Sequence, residues 1–337
     1  MPPLVIPIFI SHQGCPHRCI FCDQFTIAGS AESLKPTSGA SVRATIEQWL
    51  NRPRKEDKES VQVAFYGGSF TGIPIKRQEE LLGAVKPYID DGRVDALRIS
   101  TRPDYVDDTV LSLLQAHSVS IVELGLQSLD QDVLDCSARG HTALQSEKAM
   151  RILKERGFTV GAQLMCGLPG DSTGKLMATV RRVAALAPDF VRIYPALVIS
   201  GSGLEKLYRA NAYRPLSMSK AIVLVCRMKR IFVQHDIKVV RMGLQPSQEL
   251  EARVLAGPYH PAFGELVNSR GLFLKTRQLL RNAGNRKINR VSVSAADESA
   301  FRGPDNVNIK RLNALELLHG VELIFDKKQP RSTVGIN

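Results

Sequence analysis

The chain predicts an α/β fold, and three observations carry that expectation. Short apolar runs rich in Val and Ile recur at strand length, stretches with apolar residues near helical spacing separate them, and each chemically distinctive motif falls at or just past a strand end. The strand-like runs are residues 4–10, 61–66, 96–100, 118–124, 160–166 and 190–194, which read as six buried parallel strands. The helix-like stretches are 41–50, 76–89, 104–116, 143–156, 173–186 and 219–235. Such alternation fits an open doubly wound sheet and a complete or partial barrel alike. Motifs gathered at successive strand exits are the arrangement of barrel enzymes, whose loops at that end carry the chemistry.

With 337 residues, 44% hydrophobic and 6% aromatic, the chain can bury a substantial core as one large domain with an appendage. We expect a core domain over 1–250 and a basic extension over 251–337. Formal charge is +12, from 45 Lys and Arg against 33 acids, which draws polyanions to the surface. The extension holds 14 Lys and Arg against 8 acids and so carries half of that excess. Six cysteines are too few for a disulfide framework at this length, which favours a reducing compartment. The run 4–10 has no basic segment before it, and no apolar stretch approaches the roughly 18 residues that span a bilayer. Neither a signal peptide nor a membrane helix is expected, and the cytoplasm is the expected location.

The first strand leads into Cys15, Cys19 and Cys22 in the run Cys-Pro-His-Arg-Cys-Ile-Phe-Cys. One loop with three thiolates can hold three corners of a cubane 4Fe-4S cluster, since soft sulfur ligands select iron–sulfur clusters or zinc. A structural zinc site needs a fourth ligand, for which His12 and His17 are nearby candidates. After the second strand, Tyr66-Gly67-Gly68-Ser69-Phe70 has paired glycines that let the backbone approach a ligand, or simply make a tight turn. At the third, Ser100-Thr101-Arg102-Pro103-Asp104 brings a guanidinium and a carboxylate together, with Asp104 placed to cap a helix. Glu123 to Ser128 puts polar residues at the end of the fourth strand, and Arg139 can return toward them from the next helix. The fifth ends in Gln163-Leu164-Met165-Cys166-Gly167-Leu168-Pro169-Gly170, a turn set by glycine and proline. Cys136, Cys166 and Cys226 read as small buried hydrophobes.

Cysteines at CxxxCxxC spacing, Phe21 before the last of them and Gly67-Gly68 after the next strand together resemble the radical S-adenosylmethionine (SAM) superfamily. The motifs at 100–104, 123–128, Arg139-Gly140-His141-Thr142 and Gly167-Leu168-Pro169 look like the branch of the Elongator catalytic subunit and its bacterial relatives. The resemblance covers roughly residues 5–245. It implies a partial (β/α)6, TIM-like barrel of the radical SAM type, a 4Fe-4S cluster on Cys15, Cys19 and Cys22, and S-adenosylmethionine on the open iron. By the same resemblance Phe21 lies by the adenine, Gly67 and Gly68 meet the methionine amino end, and Gln127 and Arg139 contact ribose and carboxylate. Ser69, Ser100 and Gln163 complete the expected cofactor-binding set, the last two standing where relatives often carry an acid.

The family's chemistry is reductive cleavage of S-adenosylmethionine to a 5′-deoxyadenosyl radical that abstracts a substrate hydrogen, with an electron donor such as ferredoxin or flavodoxin. Asp104 and Glu123 are candidates for an acid or base, and no catalytic residue is assigned. The segment 257–264 reads as a shaped loop offering Tyr259 and His260, and the stretch 275–290 is cationic without an acid, which suits phosphate contacts. An RNA substrate, transfer RNA first, follows from resemblance and charge, with no role at a membrane. A small metabolite or porphyrin-like substrate is the alternative within the same chemistry. A non-catalytic cluster or zinc protein that binds RNA is the alternative outside it. No acetyl-coenzyme A phosphate loop is found after the barrel, so the acetyltransferase activity of the Elongator subunit is not expected.

Overall fold

The computed structural model describes residues 3–10, 13–16, 19–23, 37–53, 60–284 and 288–337. Its main sheet uses β1 (Leu4–Phe9), β2 (Val61–Tyr66), β3 (Ala96–Thr101), β4 (Val119–Gln127), β5 (Thr159–Cys166) and β6 (Phe190–Pro195). After β7 (Val198–Ile199), the strand β8 (Lys238–Met242) joins the same sheet, whose order is β1-β2-β3-β4-β5-β6-β8. Every pairing in it is parallel. A doubly wound sheet reverses its strand order at a switch point, whereas this one runs strictly forward, as a barrel does. The sheet curls into a half-barrel with β1 and β8 as its two edges.

The six expected strands are present because strands buried on both faces read as continuous apolar runs. The seventh, Lys-Val-Val-Arg-Met, was not expected. It is short, partly exposed and carries Lys238 and Arg241 among its five residues, so it lacks the signature of a buried strand. The expected helix over 76–89 is two helices, Ile75–Gly83 and Lys86–Asp90, with Pro87 in the first turn of the second. Asp104 does not cap the helix that follows. That helix is Asp108–Ala116, and Asp107 caps it by accepting from the backbone N–H of Val110 at 2.9 Å.

One continuous core lies between the sheet and the helices that cover it, from Ile6 and Val63 through Leu97, Val122 and Val160 to Ile193, with helices such as Ala143–Glu155, Thr173–Ala185 and Met218–Gln234 packed on it. Each such fully buried Val, Leu or Ile contributes roughly 1.5–3 kcal/mol. A second core lies in the extension, where β10 (Arg290–Ser294) pairs parallel with β11 (Glu322–Asp326) and antiparallel with β12 (Val334–Ile336). The long helix Phe263–Asn282 joins the cores: Phe263 and Val267 pack in the first, Phe273 and Leu280 in the second. A two-stranded antiparallel sheet of β7 and β9 (Val254–Ala256) holds residues 254–256 beside the exit of β6.

Candidate active site at the strand carboxyl ends

Backbone hydrogen bonds tie the cysteine loop to the exit of β2. The N–H of Gln13 donates to Ile10, and that of Ser69 donates to the carbonyl of Gln13 at 2.9 Å. Glycine permits this approach. A Cβ on Gly68 would stand 2.5 Å from the carbonyl oxygen of Gln13 and 2.6 Å from that of Ile10. Gly14, at φ +69°, leaves its own Cβ position 2.1 Å from the carbonyl oxygen of Ser69. Gly67 and Gly68 also line a cavity of about 760 Å³ inside the barrel, with Phe21, Cys22, Ser100, Gln127 and Gln163. Ser69 is on its far side: fully buried, it shares a 3.0 Å hydrogen bond with the Thr101 hydroxyl and accepts from the backbone N–H of Arg102.

Cys15 and Cys19 face a buried cationic layer beneath that loop. Arg139 is 7% exposed and donates from Nη1 to Cys19 Sγ at 3.2 Å and from Nη2 to the carbonyl of Gly125 at 2.6 Å. A turn with Ala138 at φ +50° and Gly140 at φ +74° folds Arg139 back under the sheet, and a Cβ on Gly125 would crowd its Nη2 at 2.7 Å. Its Nε has no hydrogen-bond partner among the described residues. Burial pushes the Cys15 thiol up, while the guanidiniums of Arg139 and Arg102 pull it down. Arg102 is 2% exposed and binds Asp104 through two hydrogen bonds of 2.9 and 2.8 Å. Asp104 is thereby a partner of Arg102 and not a free acid or base. Close by, burial and then the charge of Arg139 hold His141 neutral, its pKa lowered to about 3.

Register slips between β4 and β5 from Gly125 to Gln127, and Gln127 takes φ +65°. A bulge of this kind re-aims a side chain at a strand end, and Gln127 reaches the cavity by it. Deeper in β4, the fully buried Glu123 is shared by two cations, Arg192 Nε at 2.7 Å and Arg98 Nη1 at 3.4 Å. Tyr66 donates its hydroxyl to Glu123 at 3.2 Å, and Gln163 donates at 3.0 Å. Burial and then Glu123 push the Tyr66 hydroxyl up, so it stays a donor. With its oxygens so engaged, Glu123 is an internal counterion.

Among the described residues no three His, Cys, Asp or Glu side chains converge as a finished metal-ligand group. His12 and His17, the alternative zinc ligands, lie outside the described residues. Cys136 is exposed, contrary to expectation, because its short helix Gln131–Cys136 ends at the surface. Cys166 is a packed thiol whose pKa burial pushes to about 12. In the loop 257–264, His260 Nδ1 accepts from the N–H of Ala262 at 3.0 Å and Tyr259 packs on Leu197, Ile199 and Leu250, which is loop packing.

The profile of the Radical SAM superfamily matches residues 9–183, and that of the Radical SAM C-terminal domain matches 188–271. The chain belongs to the radical SAM superfamily. It is 31% identical over 230 residues to an uncharacterised protein of Methanocaldococcus jannaschii, covering 66% of this chain and 69% of that one. It is 27% identical over 262 residues to a tRNA uridine(34) acetyltransferase of the same organism, covering 67% of this chain and 48% of the relative. The chain thus spans about half the length of that relative. An archaeal Methanocaldococcus infernus Elp3 structure, at 22% identity, shares the fold with a TM-score of 0.61 over 85% of this chain and 65% of that one. Relatives bearing the tRNA uridine(34) acetyltransferase and Elongator complex protein 3 names place this radical SAM enzyme in the Elongator-like branch.

Sequence reasoning missed several residues that face the barrel cavity: Trp49, Tyr66, Arg192, Tyr194 and Arg241. The available signal was a charge inside an otherwise apolar run, as at Arg98 and Arg192. Among the described residues no helix is long and apolar enough to cross a membrane.

Proposed function

We propose that this chain holds a 4Fe-4S cluster on Cys15, Cys19 and Cys22, cleaves S-adenosylmethionine reductively in the barrel cavity and so begins the modification of a transfer RNA uridine. One observation carries the reading: a three-thiol loop is seated by backbone bonds on the Gly67-Gly68 exit, at the rim of a cavity of about 760 Å³. The donor set fits the group, because three soft thiolates suit an iron–sulfur cubane and the buried guanidiniums of Arg102 and Arg139 offset an anionic cluster. When bound, the cluster supplies the electron that splits S-adenosylmethionine into methionine and a 5′-deoxyadenosyl radical.

The chain's own residues bind, orient and shield. Gly67 and Gly68 present backbone to the methionine end, Gln127 takes the ribose, and Phe21 lies against the adenine; Ser100 and Gln163 are further polar groups on the wall. Arg139, expected at the carboxylate, lies behind Cys19 and outside the cavity lining, where it steadies the thiol loop. Val5, Pro7, Phe9, Trp49, Met165, Leu197 and Ile199 line the rest and keep water from a reactive species. Ser69 acts through its bonds to Thr101 and Arg102, fixing the loops.

For RNA, a groove of about 540 Å³ between the helices Met218–Gln234 and Phe263–Asn282 is lined by Arg227, Lys229, Arg230, Arg270 and Lys275 and, among the described residues, by no acid. Its cations suit phosphates, as the relatives' tRNA names lead one to expect. A low-potential donor such as ferredoxin or flavodoxin would supply the electron, in the cytoplasm. The test is anaerobic iron–sulfur loading and dithionite reduction, followed by measurement of 5′-deoxyadenosine, and then mass spectrometry of tRNA nucleosides from cells with and without the gene. A missing wobble-uridine modification is expected. Cleavage with an unchanged nucleoside profile would move the substrate to a small metabolite, and no cleavage from an intact cubane would sink the enzyme reading.

A further inference from the structure

We propose that Arg192 and Arg241 form an oxyanion subsite at the β6–β8 end of the barrel, taking a phosphate or carboxylate carried by the substrate. The inference rests on the barrel cavity being the reaction chamber proposed above. Arg192 and Arg241 are direct register partners in the β6–β8 pairing, and both line the cavity. Like charges set opposite each other on neighbouring strands destabilise the pair unless an anion lies between them.

Among the described residues Glu123 is the one carboxylate in reach of this pair; it is fully buried on the Arg192 side, and Arg98 and Arg192 already share it. Two guanidiniums against one carboxylate leave one positive charge, and Arg241 adds a second. Arg241 donates from Nε to the carbonyl of Gly243 and from Nη2 to that of Leu244, both at 3.0 Å, and has no ion pair among the described residues. Those bonds aim its guanidinium without neutralising it. No Asp or Glu is among the described residues that line the cavity, whereas Tyr66, Tyr194, Gln245 and Ser247 add neutral hydrogen-bonding groups on the same side. Half-withdrawn from water, a cationic pair attracts an oxyanion far more strongly than it would in bulk solvent.

The two arginines and the thiol loop enter one cavity from opposite edges of the sheet order: Cys22 and Gly67-Gly68 belong to the exits of β1 and β2, Arg192 and Arg241 sit on β6 and β8, and Tyr66 links the two sides across the barrel by accepting from Arg192 at 3.0 Å. An anionic substrate group anchored there would leave the sulfonium end of the chamber free. Two sources offer the needed chemistry: the phosphate of a nucleotide and the carboxylate of a small acid.

The experiment is calorimetric titration of the full chain, anaerobically loaded with iron and sulfide, with uridine 5′-monophosphate, uridine and glutarate. Uridine 5′-monophosphate is expected to bind about tenfold or more tightly than uridine, equivalent to about 1.4 kcal/mol. Arg241→Gln should bring the two affinities together. Gln245→Glu puts a carboxylate on the same cavity wall while keeping the Arg241 bonds to Gly243 and Leu244, and should do likewise; it serves if Arg241→Gln fails to fold. Tight glutarate with weak nucleotide binding assigns the subsite to carboxylates, and the reverse to phosphates. Equal binding of uridine and its monophosphate together with no glutarate binding overturns the proposal, as does a preference that survives both substitutions. Absence of 5′-deoxyadenosine on reduction is a separate outcome: it removes the radical reading and leaves these binding ratios standing.

Discussion

Inside the barrel, Arg98 and Arg192 share one buried carboxylate, and Tyr66 and Gln163 complete its hydrogen bonds. Outside, the groove between the helices Met218–Gln234 and Phe263–Asn282 carries Arg227, Lys229, Arg230, Arg270 and Lys275, none of them in an ion pair among the described residues. The difference is one of solvent. A charge withdrawn from water must find partners, because leaving one unpaired costs several kcal/mol, whereas a charge at the surface keeps its hydration and costs little alone. Lys229 shows the transition: partly buried in the groove wall, it donates to Asn268 at 2.7 Å, and burial pulls its pKa down. Interior cations are therefore bound up with stability and chemistry, while groove cations are available for a polyanion.

That contrast can be broken most severely at the thiol loop. Cys19→Ala removes one of three proposed iron ligands and the acceptor of Arg139, and is expected to abolish both iron incorporation and 5′-deoxyadenosine release. A protein that still cleaves S-adenosylmethionine would refute the ligand assignment. Next is Glu123→Gln, which leaves Arg98 and Arg192 without their anion; a loss of about 3–5 kcal/mol in denaturant unfolding is expected. A loss under about 1 kcal/mol would show that the interior tolerates unpaired charge as the groove does.

His141 predicts a pH dependence. Its folded pKa, about 3, lies below the ordinary value of 6.5, so the unfolded chain binds the extra proton. Stability is complete above pH 6.5 and falls as pH drops through the window down to about 3, by an order of a few kcal/mol at most. His141→Asn should flatten the unfolding midpoint against pH in that window, and an unchanged slope would argue against a buried neutral imidazole. Gly68→Ala forces a Cβ against two carbonyls and should cost roughly 1–3 kcal/mol, with lower iron content, seen by thermal unfolding and iron assay. The smallest stability effect is expected outside: Arg227→Gln with Arg270→Gln should change stability by under about 0.5 kcal/mol each while lowering the salt slope of tRNA binding by about one per lost phosphate contact. An unchanged slope would place the RNA elsewhere.

The barrel strands were legible because a strand covered on both faces must be apolar throughout, and 61–66 and 190–194 match β2 and β6 almost to the residue. The edge strand Lys238–Met242 was not, since half of it faces water and its pattern is mixed. Similar logic separates Asp104 from Asp107. Asp104 reads as the cap because it follows Pro103, yet neighbouring Arg102 takes its carboxylate, and Asp107 three residues on starts the helix instead. In the candidate site, Cys15, Cys19 and Cys22 announced themselves because one short loop carries all three. Ser69 reads like its glycine neighbours, but the fold turns its hydroxyl away from the cavity toward Thr101.

By itself, then, the sequence determined the α/β alternation, the three-thiol loop and the glycine-rich exits, because each rests on spacing within a few residues. Tertiary structure alone decided that Arg139 lies under Cys19, that Glu123 serves two arginines, and that Arg192 stands beside Arg241. Glu123 and Arg192 are 69 positions apart in the chain, on β4 and β6, and only the register of both strands on β5 between them brings such groups within hydrogen-bonding distance.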